Sequence, residues 1–84
     1  MIQCFFLWVA ADQVKYFESL PLHDSQEPVE NTADYAIFQY YLVPTYDFRQ
    51  AILSHGPYVE VLEPEDFREE IKADIAQMYR NYGL

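Results

Sequence analysis

At 84 residues the chain is long enough for one domain, and with 51% hydrophobic and 18% aromatic residues it can fill a single core. Its formal net charge of −9, fourteen acids against five bases, argues against gripping duplex DNA or an anionic membrane, because both need Lys and Arg to neutralise phosphate. One cysteine, Cys4, excludes an intramolecular disulfide and a cysteine zinc site, and it points to a reducing, cytoplasmic setting.

The chain opens MIQCFFLWVA, and its first basic residue, Lys15, follows that apolar run. A secretory signal carries its positive charge first, and ten residues are too few to span a bilayer. The run reads instead as a strand, with Phe5, Leu7 and Val9 on one face and Ile2, Cys4, Phe6 and Trp8 on the other. A strand apolar on both parities belongs in the middle of a sheet. ADQVKYFESL then predicts a short helix with Val14, Phe17 and Leu20 turned inward, stopped by Pro21.

HDSQEPVEN is polar and broken by Pro28, which suits an edge strand, and residues 31–34 supply a hairpin turn. YAIFQYYLV, residues 35–43, is a second strand apolar on both parities, ended by Pro44. TYDFRQAILSHG predicts a helix with Thr45 as N-cap, Asp47 in its first turn, Phe48, Ala51 and Ile52 inward, and Gly56 just past its end. A short strand, YVEVLE, follows. Last comes a long helix with Pro64 at its first position and a stripe of Phe67, Ile71, Ile75, Met78 and Tyr82.

The order β-α-β-β-α-β plus a helix is that of an α+β, ferredoxin-like, four-stranded antiparallel sheet with an additional C-terminal helix. In that arrangement the first and third strands are central, and here they are the two-sided apolar ones. Two helices cover one face only. Something must therefore cover Phe6, Trp8 and Tyr41 on the other: the C-terminal helix, a neighbouring domain or a second copy.

Catalytic and metal chemistry find little support. His23 and His55 lack ligand spacing, so no metal site is expected, and Cys4 in an apolar strand reads as a small buried hydrophobe. Ser25 and Ser54 have no nucleophile-elbow context, and two glycines make no phosphate loop. The acids Glu60, Glu63, Glu65 and Asp66 are explained largely by the start of the last helix. No enzyme and no cofactor are expected. The aromatic sheet face invites comparison with base-stacking RNA platforms, but the chain lacks their basic interleaving and glycine-aromatic pattern, so a packed interface is favoured.

Three segments carry a family resemblance: LPLHDSQE, containing His23, Ser25 and Gln26; LVPTYDF, containing Pro44, Asp47 and Phe48; and the ending ILSHGPYVEVLEPEDFREEIKADIAQMYRNY, containing Gly56 and Pro64. Together, in this order, they resemble the C-terminal extension (WCX) of bacterial WYL-domain transcriptional regulators. Tyr40-Tyr41-Leu42 echoes the letters W-Y-L, but its place before P-T-x-D-F puts it in the extension. The resemblance implies a helix-turn-helix and a WYL barrel elsewhere in the same protein, with residues 1–84 as a module excised from it. A central strand starting just after Met1 suits that reading. It further implies a homodimer, coupling of effector sensing to DNA binding, and no direct duplex DNA contact by this module. Effectors of some relatives are nucleic acids. A second reading makes the domain a sensor of small molecules or nucleotides, bound by the aromatic face or a groove beside the final helix, with Phe6, Trp8 and Tyr41 as contacts and Arg49 for an anionic group.

Overall fold

The computed structural model describes all 84 residues, Met1 to Leu84. Four strands are joined by helices: β1 (Gln3–Ala10), α1 (Val14–Ser19), β2 (Glu27–Asn31), β3 (Tyr35–Leu42), α2 (Tyr46–Ser54), β4 (Val59–Glu63) and α3 (Glu65–Asn81). Single 3₁₀ turns at Ala11–Gln13 and Gly56–Tyr58 lead into α1 and β4. The sheet order is β2-β3-β1-β4, antiparallel throughout, which is the ferredoxin-like arrangement. As expected, the two-sided apolar strands β1 and β3 lie in the centre, while β2, with its Pro28, is fully exposed at one edge.

The register explains the burial. Phe5 pairs with Tyr40, Leu7 with Phe38 and Val9 with Ala36, and all six are buried. With Leu42, Val61 and residues from all three helices they form one core of fourteen apolar residues. No polar or charged residue is buried. Four rings knit its centre: Phe5 meets Phe48 at 5.3 Å and Phe67 at 5.0 Å, both edge to face, and Phe48 meets Tyr40 at 5.7 Å.

Local signals work as read for α2. Thr45 Oγ1 accepts from Phe48 N at 3.2 Å, and Gly56 takes a positive φ of 57° past the helix end, where a side chain would be strained. Three expectations need correction. Leu20 is 60% exposed, because α1 ends at Ser19 and Leu20 leaves the helical phase with φ −131° and ψ 77°. Pro64 is the extended N-cap of α3 and not its first helical residue; its carbonyl accepts the first helical bond, from Arg68 N at 3.0 Å. The α3 stripe is buried only at Phe67 and Ile71, whereas Ile75, Met78 and Tyr82 stay exposed. The helix outruns the core, and its later turns border only an open groove against α2, where Gln77 and Met78 face Tyr46, Gln50 and Leu53.

Candidate functional site, the open face of the sheet

The buried residues of α1 (Val14, Phe17), α2 (Phe48, Ile52) and α3 (Phe67, Ile71) all join the core on the Phe5 side of the sheet. The C-terminal helix therefore does not cover the other face. That face is built by the opposite parity: Cys4 pairs with Tyr41, Phe6 with Gln39, Trp8 with Ile37 and Ala10 with Tyr35. Cys4, Phe6, Trp8 and Ile37 are half-buried, screened by their neighbours, and Tyr41 is 52% exposed.

Side chains on this face touch one another. The Trp8 and Tyr35 rings stack with centroids 6.3 Å apart, and Gln39 Nε2 donates to the Tyr41 hydroxyl and lies 3.7 Å from Cys4 Sγ. The Cys4 thiol is thus a small apolar filler in this layer, with no base beside it.

The rim is acidic. On β2, Glu27 and Glu30 stand opposite Gln39 and Ile37; on β4, Glu60 and Glu63 stand opposite Trp8 and Phe6. Only Glu60 has a cationic partner, Arg68 Nη1 at 2.7 Å. That hydrogen bond holds the guanidinium of Arg68 more firmly charged than usual. Glu30 accepts from the Tyr35 hydroxyl, and this bond, with some desolvation, raises the phenol's pKa. An apolar strip between carboxylates repels phosphate and attracts cationic or apolar protein surface.

Arg49 stands apart from these aromatics, beside the final helix. It sits on α2 in the opposite layer, where Nη2 reaches Asp74 Oδ2 at 2.7 Å and Nη1 reaches Glu70 Oε1 at 3.4 Å. Its charge ties α2 to α3 and is already neutralised. A groove of about 270 Å³ beside it is lined by Pro44, Thr45, Tyr46, Arg49, Phe67 and Glu70. With a carboxylate on its wall and its arginine paired, the groove offers an anion no unpaired positive charge.

The motif residues form the scaffold around the site. Gln26 Nε2 donates to Phe17 O at 2.9 Å, and its Oε1 accepts from Leu22 N at 3.2 Å and from the Tyr40 hydroxyl at 2.5 Å. Burial in that core pushes the Tyr40 phenol far up. Ser25 Oγ accepts from Tyr41 N at 2.9 Å and lies 2.8 Å from His23 Nδ1, which also accepts from Ser25 N. His23, Ser25 and Gln26 thereby pin the α1–β2 connection to β3, and Pro44, Asp47 and Phe48 start α2. Sequence reasoning missed this scaffolding role. The polar letters of LPLHDSQE beside an inward-facing Tyr40 were its only signal.

No three His, Cys, Asp or Glu side chains lie close enough to hold a metal ion. No helix is long and apolar enough to cross a membrane.

The fold and this face define a class: a ferredoxin-like α+β domain with helices on one layer and an acid-rimmed aromatic sheet left open on the other. The family profile described as "WCX domain" matches residues 6–79, nearly the whole chain, and the chain belongs to that family. It is the family that the three motifs resemble. No curated protein matches the sequence.

Proposed function

We propose that this chain is the C-terminal regulatory module of a WYL-type transcriptional regulator, acting by protein contact and not by catalysis. It couples effector sensing in a barrel domain to DNA binding by a helix-turn-helix of the same protein, and it contributes to a homodimer in the cytoplasm. Membership of the WCX family supports the context. The observation that carries the contact role is the open sheet face, where Phe6, Trp8, Ile37 and Tyr41 have no covering element of their own chain. The acidic rim favours protein over nucleic acid as the direct partner.

The sensor reading has less support: on the sheet face it lacks Arg49, which lies in the other layer, and in the groove beside α3 that arginine is already paired with Asp74. The test uses the native polypeptide. An antibody to this domain recovers it from its own cells, and its mass and any bound DNA are measured. A polypeptide well above 10.0 kDa that enriches particular promoter fragments supports the proposal. A 10.0 kDa polypeptide enriching no DNA refutes it.

A further inference from the structure

Two apolar surfaces of this chain lack a partner, and they differ in shape and charge. One is the flat sheet face around Phe6, Trp8, Ile37 and Tyr41. The other is the end of α3, where Ile75 is 53%, Met78 46% and Tyr82 79% exposed, Met78 at the edge of an open groove against Tyr46 and Leu53 of α2. Spacings of three and four place these residues along one side of the helix. A helix stripe laid on an apolar sheet face is the ordinary way α/β layers pack.

The charges are complementary. Residues 75–84 contain a single charged side chain, Arg80, in a chain of net charge −9. Arg80 contacts Gln77 Oε1 at 2.8 Å and has no carboxylate partner. The sheet rim holds Glu27, Glu30 and Glu63, none of which is paired with a cation.

A chain cannot satisfy both surfaces by itself. Phe67 and Ile71 anchor α3 in the core layer, and the Arg49–Asp74 bridge holds it against α2 as far as the residue before Ile75. The remaining helix to Asn81 extends about 10 Å along the same axis, on the wrong side of the sheet. Docking two sheet faces directly would set the unpaired glutamates of one copy against those of the other, which like-charge repulsion opposes.

We propose that two copies exchange helix ends, with Ile75, Met78 and Tyr82 of each lying across Phe6, Trp8, Ile37 and Tyr41 of the other, and Arg80 among the rim glutamates. The contact is reciprocal, so it closes as a two-fold dimer. This rests on the self-association part of the proposed function and specifies its geometry.

The test uses the 84-residue chain, with mass measured by sedimentation equilibrium. A sheet variant, Ile37→Glu, and a helix variant, Ile75→Glu/Tyr82→Glu, are each checked for cooperative thermal unfolding. Tyr41→Glu, at a half-exposed position, replaces the sheet variant if Ile37→Glu does not fold. Wild type is expected at twice 10.0 kDa, each variant alone at 10.0 kDa, and their equimolar mixture as a weaker heterodimer, because one intact helix then meets one intact sheet. A helix variant that stays dimeric, or a mixture that stays monomeric, overturns helix exchange. If only the sheet variant is monomeric, self-association through the sheet stands and the exchange falls. A wild type that is monomeric throughout removes both.

Discussion

The ring of Phe67 meets that of Phe5 edge to face, with centroids 5.0 Å apart and planes at 82°. This contact places α3 in the layer already held by α1 and α2, and so leaves the opposite sheet face open. Phe67→Ala should therefore cost about 3–5 kcal/mol, the range for emptying a buried phenylalanine site. Urea unfolding measures it. A loss below about 1 kcal/mol would mean that α3 is not anchored there.

Gln26 serves three partners at once: Phe17 O, Leu22 N and the buried Tyr40 hydroxyl. Gln26→Ala leaves that hydroxyl and carbonyl without partners, which costs about 2–3 kcal/mol. Tyr40→Phe removes only the donor, and Gln26 keeps its other two bonds, so the expected loss is about 1 kcal/mol. Equal losses in the two variants, measured by chemical denaturation, would contradict this asymmetry.

His55 lies against the Phe17 ring at 4.6 Å and the Tyr16 ring at 5.8 Å, and desolvation lowers its pKa from the ordinary 6.5. The unfolded chain then binds a proton more readily than the folded one. This contribution to stability is intact above pH 6.5 and is lost as pH falls from there through the folded pKa. NMR titration should place the His55 midpoint below 6.5, and His55→Gln should be less sensitive than wild type to a fall in pH from 7 to 5.5. A midpoint above 6.5 reverses the sign and rejects the account.

Arg49 is held by Asp74 and Glu70 at the α2–α3 contact, with about a third of its side chain exposed. Arg49→Met should lower stability by no more than about 1 kcal/mol, as for partly exposed ion pairs. Neither wild type nor this variant should show a change in Trp8 fluorescence with ATP. A saturable change in wild type that Arg49→Met abolishes would restore the anion-binding reading.

Much of this fold was legible because its determinants are local. Period-two alternation identified β1 and β3 as two-sided strands, Pro28 marked β2 as an edge, and Thr45 and Gly56 bounded α2. The same periodicity placed Phe6, Trp8 and Tyr41 together on the second face. Leu20 was misread because a six-residue helix ends before its stripe can extend.

What the sequence by itself determined was the set of elements, the sheet order and the two apolar faces of the central strands, since each follows from spacing along the chain. The tertiary structure alone decided which layer α3 joins, that its stripe runs out of core after Ile71, and that Arg49 finds Asp74 and Glu70 and not the aromatic face. The reason is physical. Alternation says that a side chain is turned to one face, but which distant group meets it there depends on how whole elements pack into the limited volume of the core. The Phe5–Phe67 contact settles that for α3, and it leaves Phe6 and Trp8 open to a partner.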